Sequence, residues 1–203
     1  MRPAAATLVA ILSAALLGGC ANVVFSEGPL FTTADARGAP RFKPGVWIGE
    51  EPGCVVDTSK PLDQWGDCAE GWVMTRRGLA DPTLYKGAAA LLAAGDPMIL
   101  QLGPEPPAET NEHFYNAVRA LETDKAGRIT AFSTWPVQCG PPPGPAGPDQ
   151  ATTGVTASPL PGLEIRDKNC LARDAASVRA AAKASEAWDR EPAMARWVRK
   201  GKR

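Results

Sequence analysis

The sequence predicts an α+β domain built mainly from an antiparallel sheet, with a C-terminal helix packed on the sheet and disulfides stapling the connections. Short apolar segments alternate with turns along residues 45–138, and an alanine-rich stretch with helical spacing follows near residues 170–188. Four cysteines also remain once Cys20 is set aside. Because 20 glycines and 20 prolines exceed ordinary usage, we expect many turns and long irregular connections.

The clearest predicted element is a β-hairpin in which residues 114–123 and 128–138 flank a turn. Asp124 begins this turn, and Gly127 supplies the positive φ that a bulged type I turn requires. Phe132 and Trp135 fall on opposite faces of the returning strand, so both faces should be at least partly covered. Further strands are predicted at residues 45–49, 72–75, 97–102 and 194–198, whereas residues 84–94 fit either a short helix or an apolar strand.

One helix is predicted to run from Cys170 to Trp188, with Asn169 as its N-cap and Pro192 beyond its end. Its expected buried stripe is narrow and mostly small, which would let the helix approach the sheet closely. The stripe consists of Leu171, Ala175, Val178, Ala182 and Ser185.

The four remaining cysteines are Cys54, Cys68, Cys139 and Cys170. An even number in an exported protein indicates disulfides, and three pairings are possible. The pairs Cys54–Cys68 and Cys139–Cys170 are favoured because each closes a local, proline-rich excursion. The chain has no C-x-x-C motif and a single histidine, so we expect no zinc site and no cofactor.

The first 19 residues have the layout of a signal peptide: one basic residue, Arg2, precedes an apolar run over residues 4–17. The run ends on Leu17-Gly18-Gly19-Cys20, which resembles the lipobox of bacterial lipoproteins. This resemblance implies cleavage before Cys20, a diacylglyceryl group on its thiol and a fatty acyl chain such as palmitate on its amine. Ala21 in place of aspartate implies the outer membrane, facing the periplasm. The alternative is an ordinary secretory signal that carries a chance cysteine.

The expected organisation after the signal peptide is a lipidated tether over residues 20–44, a domain over residues 45–198 and a basic tail over residues 199–203. Two apolar pieces of the tether, residues 23–25 and 30–31, are short and could dock on the domain. Residues 140–162 form a proline-rich loop within the domain. Its composition is typical of a surface spacer, and the alternative is a segment that binds a partner.

Charge is balanced over the chain, with 22 basic and 22 acidic residues, so there is no net positive charge that would attract nucleic acid. The C-terminal end is the exception, and we expect it to contact anionic lipid headgroups or a cell-wall polymer. The alternative is a solvated tail. The basic residues concerned are Arg196, Arg199, Lys200, Lys202 and Arg203. The expected partners are therefore the membrane, through the lipid anchor, and cell wall or an envelope protein.

No nucleophile elbow, zinc-protease motif or phosphate-binding loop is present in the sequence. The leading hypothesis is therefore a non-enzymatic envelope lipoprotein with a binding or structural role. An envelope hydrolase is an alternative, and it would need a cleft built around His113 or an acidic pair. The candidates beside His113 are Glu109 and Glu112, and the acidic pairs are Glu50 with Glu51 and Asp63 with Asp67.

A further alternative comes from Gly45-Val46-Trp47, which follows Pro44. This G-x-W on a first strand, followed by antiparallel strands and a late helix, resembles the lipocalin layout. The resemblance implies a carrier of a small apolar ligand. It predicts an enclosed apolar cavity that contains several of Trp47, Trp72 and Trp135.

Overall fold

The computed structural model describes residues 21–50, 54–65, 69–75, 79–80, 89–104, 110–143, 154–188 and 192–201. In chain order its strands are β1 (Val24–Ser26), β2 (Gly45–Glu50), β3 (Ala69–Met74), β4 (Leu79–Ala80), β5 (Ala89–Ala93), β6 (Met98–Gly103), β7 (His113–Thr123), β8 (Ile129–Pro136), β9 (Leu163–Arg166), β10 (Asn169–Ala172) and β11 (Ala193–Arg199). The helix α1 spans Ala175–Ser185, and a short 3-10 turn spans Leu62–Gln64. The predicted fold class is confirmed: the protein is a mainly antiparallel sheet with one C-terminal helix packed on it.

Eight strands form one antiparallel series in the order β4-β3-β2-β11-β8-β7-β6-β5. Most neighbours in this series are also neighbours in the chain, which short turns favour. The predicted hairpin is confirmed as β7 and β8, and Gly127 has the expected positive φ of 71°. Residues 89–93 are a strand rather than a helix, and residues 84–88 of that segment lie outside the described residues.

A smaller group of strands extends the sheet from β7. The strand β1 pairs with β7 in antiparallel fashion and with β10 in parallel fashion, and β10 pairs with β9. The predicted Cys139–Cys170 disulfide is present, with the two Cα atoms 5.6 Å apart. It joins the end of the hairpin to β10, and so closes the base of the proline-rich loop.

The predicted start of the helix is wrong. Asn169 does not cap a helix, because residues 169–172 hydrogen-bond as a strand to β9 and β1, and the Asn169 side chain accepts instead from the N–H of Val23. The N-cap is Asp174, whose carboxylate accepts from the N–H of Ser177 at 2.7 Å. The helix ends at Ser185, before the predicted Trp188.

Two apolar cores lie on the two faces of the sheet. The inner core fills the concave face and is built around Trp47, Met74, Leu100, Val118 and Phe132. The outer core lies between the other face and α1, where Trp135 Nε1 donates to the carbonyl of Ala182 at 3.1 Å. This contact requires the helix to approach closely, as its small buried residues allow.

Residues 21–44, expected as a tether, pack against the domain. Val24 is fully buried and Phe31 is 1% exposed, so both apolar pieces dock. The buried Gln101 side chain holds the second piece: Oε1 accepts from the N–H groups of Leu30 and Phe31, each at 2.9 Å. The segment is therefore part of the folded unit from at least Asn22 onward, since Asn22 is also buried.

Candidate functional site

Three tryptophans stand in register across neighbouring strands of the concave face. Trp197 on β11 pairs with Trp47 on β2, and Trp47 pairs with Trp72 on β3. The indole N–H of Trp47 donates to the carbonyl of Lys43 at 2.9 Å, and that of Trp197 donates to the carbonyl of Pro44 at 3.1 Å. These bonds tie the chain that enters β2 to the inner core.

We call residues 32–44 the capping segment, because they cross one end of the curled sheet. Phe42 lies beside the start of β8, where the N–H of Ile129 donates to the carbonyl of Arg41 and the N–H of Lys43 donates to the carbonyl of Ile129. The Phe42 ring meets Trp47 edge-on at 5.9 Å between ring centroids and lies 5.1 Å from Phe132. The segment is thus anchored by backbone pairing and by an aromatic side chain that enters the inner core.

A cavity of about 830 Å³ lies beneath the capping segment. Met74 at the end of β3 and Leu92 on β5 both line it, although six strand-to-strand steps separate these strands in the sheet. At about 4.8 Å per step, a flat sheet would hold them roughly 29 Å apart. The sheet is therefore curled so strongly that its two ends face each other across the cavity.

The floor and the rim of this cavity differ in chemistry. Apolar side chains from the strands and from the capping segment form the floor: Phe42, Met74, Ala90, Leu92 and Leu100. The rim is formed by five residues that are all exposed and have polar side chains: Thr33, Arg37, Arg41, Thr75 and Arg128. A recess that combines an apolar floor with a polar, cationic rim suits a molecule that has an apolar body and a polar head.

The carboxylate of Asp124 pairs with Arg128 on this rim. Asp124 accepts from Nε and Nη2 of Arg128 at 2.9 and 2.6 Å, and from the N–H groups of Ala126 and Arg128. The Arg128 side-chain hydrogen bonds are the main reason that the pKa of Asp124 is lowered to about 2. Lys43 lies 3.9 Å from the same carboxylate and 3.6 Å from the centroid of the Trp197 ring.

The tryptophans expected to line a cavity do not line this one. Trp47 and Trp72 pack in the inner core beside it, and Trp135 lies on the opposite face against α1. The sequence did not predict these positions. Strand alternation places Phe132 and Trp135 on opposite faces, but it does not indicate which face becomes concave. The Trp72 indole N–H is buried and, in the part of the chain that is described, has no hydrogen-bond partner.

Of the residues suggested for a hydrolase, His113 and Glu112 have described side chains, and neither lines this cavity. His113 begins β7, and its Nδ1 lies 2.8 Å from the carbonyl of Asn111 in an exposed position. Glu112 is exposed beside it. Glu51, Asp67 and Glu109 lie outside the described residues, as do the side chains of Glu50 and Asp63. Within the described ranges, no group of three His, Cys, Asp or Glu side chains could hold a metal ion.

The basic C-terminal residues differ in their surroundings. Arg199 is half-buried, and its guanidinium donates to the carbonyls of Thr58, Ser59 and Lys60 at 2.7 to 3.0 Å. Arg196 and Lys200 are exposed. Lys202 and Arg203 lie outside the described residues.

The last predicted site residues are the cysteines expected to form disulfides or to carry lipid. Cys54 is disulfide-bonded, while Cys68, the partner that its spacing predicts, and the predicted lipidation site Cys20 lie outside the described residues. Among the helices that the structure describes, none has the length and apolar character needed to cross a bilayer.

No protein-family model, curated protein or solved structure matches this chain significantly. The functional interpretation therefore rests on the cavity and on the residues around it.

Proposed function

We propose that this protein is a non-enzymatic binding protein that holds a small amphipathic ligand in the cavity beneath the capping segment. The observation that carries the proposal is the cavity itself, about 830 Å³ in volume, with an apolar floor from β3, β5 and β6. This volume falls within the range of about 300–1,000 Å³ that is usual for small-molecule sites.

The arrangement of the sheet supports the same proposal. The series of antiparallel strands curls so that Met74 and Leu92 line one space, and Phe42 from the capping segment adds to its apolar lining. Such a recess removes the apolar part of a ligand from water, which contributes about 25 cal/mol for each Å² buried. This proposal takes up the ligand-carrier alternative, with Met74, Leu92 and Leu100 in place of the expected tryptophans.

We further propose that the carrier works at the cell envelope, anchored through lipid on Cys20 and facing the periplasm. The Leu17-Gly18-Gly19-Cys20 motif supports this location. Because Asn22 is already buried in the domain, a lipid at Cys20 would hold the domain close to the bilayer. A carrier in that position would exchange amphiphiles with the membrane surface.

Titration with N-phenyl-1-naphthylamine, a neutral apolar fluorophore, tests ligand binding in the full chain. We expect saturable binding with enhanced fluorescence, because the dye enters an environment shielded from water. Ala90→Trp, which fills the floor, should weaken binding by about tenfold or more, equivalent to at least about 1.4 kcal/mol. Ala36→Trp fills the cavity from the capping segment, and so tests the same space without changing a strand.

Ala187→Trp is the matched control, because Ala187 is exposed beyond the end of α1. It should bind the dye as the unsubstituted protein does. Circular dichroism and thermal unfolding establish that each variant is folded. Binding that is equal in all folded variants, or no saturable binding in the unsubstituted protein, would contradict the proposed function.

A further inference from the structure

We infer that Arg37 and Arg41 select ligands with an anionic headgroup, either a carboxylate or a phosphate, attached to a single apolar chain. This inference rests on the proposed function, since it assigns the chemistry of the ligand held in the same cavity. Both arginines line the rim of the cavity, on the capping segment above its apolar floor.

Backbone hydrogen bonds fix the positions of the arginines at the rim of the cavity. The N–H of Ile129 donates to the carbonyl of Arg41 at 2.8 Å, which places Arg41 beside Arg128 at the start of the hairpin's returning strand. Arg37 follows a turn in which the N–H groups of Asp35 and Ala36 both donate to the carbonyl of Thr32. Three arginines therefore line one cavity, although they come from two separate parts of the sequence.

Two of these three guanidinium groups are available for a ligand. Arg128 is paired with Asp124, which also lies near Lys43. Asp35, the acid closest in sequence to Arg37, binds Thr32 and lies 3.9 Å from Arg179. Within the described part of the chain neither Arg37 nor Arg41 has a side-chain ion-pair partner, and no carboxylate lines the cavity.

An anionic headgroup matches this distribution of charge. A guanidinium presents several N–H donors in a planar fork, and it binds a carboxylate or phosphate through two hydrogen bonds at once. Both arginines are exposed, so the attraction acts in a partly solvated setting and is screened by salt. A neutral headgroup would leave both cations without a counter-charge and would gain only the burial of its chain.

Displacement of bound N-phenyl-1-naphthylamine from the full chain tests the inference with three ligands of equal chain length. These are dodecanoic acid, dodecyl phosphate and dodecan-1-ol. We expect at least one anion to bind about tenfold more tightly than the alcohol, because charge-assisted hydrogen bonds form only with the anions. The ranking of the acid and the phosphate then distinguishes the two headgroups. Added salt should weaken the binding of the two anions more than the binding of the alcohol.

The double variant Arg37→Gln/Arg41→Gln should reduce the preference for the anion to within about twofold, because it removes both free guanidinium groups. Arg173→Gln, at an exposed arginine paired with Glu164 on the small β9–β10 sheet, should keep the full preference. Displacement by all three ligands with equal affinity would overturn this inference while leaving the proposed function intact. If the dye itself shows no saturable binding, the proposed function fails and the inference fails with it.

Discussion

The Gln101 side chain binds both polar groups of the Phe31 backbone. Its Oε1 accepts from the N–H of Phe31 at 2.9 Å, and its Nε2 donates to the carbonyl of Phe31 at 3.2 Å. Gln101 is 5% exposed and lies on β6, so these bonds attach the chain just before the capping segment to the outer face of the sheet. This buried amide therefore anchors the start of the cavity roof, and the pairing beside Phe42 anchors its end.

Gln101→Leu should lower the free energy of unfolding by about 1–3 kcal/mol, because it leaves buried backbone groups of Leu30 and Phe31 without partners. Urea denaturation measures this change. Limited trypsin digestion should also cleave the variant faster after Arg37 and Arg41, since the capping segment loses its attachment. Gln64→Ala, at an exposed glutamine, is the control and should change neither measurement.

Gly45 begins β2 with a φ of 144°, and an added Cβ would overlap the carbonyl oxygen of Arg199 and Nε1 of Trp197. Gly45→Ala should therefore destabilise the protein by more than about 1 kcal/mol, through both backbone strain and steric overlap. Thermal unfolding measures the loss. Gly28→Ala is the matched control, because a Cβ there meets nothing within 4 Å. If Gly45→Ala and Gly28→Ala were equally stable, the close approach of Arg199 and Trp197 to Gly45 would not limit the residue at this position.

The Cys139–Cys170 disulfide joins positions 31 residues apart. Replacing both cysteines with alanine should lower the free energy of unfolding by roughly 3–4 kcal/mol, because the unfolded chain regains the freedom of that loop. Guanidinium denaturation under non-reducing conditions measures the difference. Peptide mapping should also recover the two cysteines in one linked fragment from the unsubstituted protein. An unchanged denaturation midpoint would contradict a stabilising role.

The lowered pKa of Asp124 predicts a pH-dependent contribution to stability. Because the folded pKa of about 2 lies below the ordinary value near 3.8, the contribution is complete above pH 4. It is lost as the pH falls through about 2. Asp124→Asn should therefore be less stable than the unsubstituted protein at pH 6, and the difference should shrink between pH 4 and pH 2. Asp167→Asn, in the turn between β9 and β10, is the control for the loss of one negative charge. A stability difference between Asp124→Asn and the unsubstituted protein that does not change with pH would contradict this prediction.

Local patterns were sufficient to predict many elements but not their long-range arrangement. Asp124 and Gly127 specify the hairpin through turn chemistry, and the sequence pattern also predicted β2, β3, β6 and β11. The strand β1 was missed because its pairing is not local: Val24 pairs with Cys170. The strands β9 and β10 form a tight hairpin, in which Arg166 pairs with Asn169, and Asp167 and Lys168 between them were not recognised as a turn. The helix start was misplaced because β10 takes up residues that also fit a helical pattern.

The cavity could not be predicted because its residues come from separate parts of the chain. Phe42, Met74 and Leu92 meet only after the sheet has curled, and no local spacing reports that curvature. Arg37 and Arg41 lie in a segment whose composition is typical of a tether. The contact of the Arg199 guanidinium with three backbone carbonyls about 140 residues earlier in the chain is likewise a long-range feature that no local pattern shows.

Methionine methyl NMR of the full chain, titrated with dodecanoic acid, tests the central claim most directly. Met74 lines the cavity, whereas Met194 is 57% exposed on β11 and lies outside its lining. We predict that the Met74 methyl resonance shifts in a saturable manner, with the affinity found by dye displacement, while the Met194 resonance stays unchanged. An unchanged Met74 resonance at saturating ligand, or a shift confined to Met194, would contradict binding in the cavity beneath the capping segment.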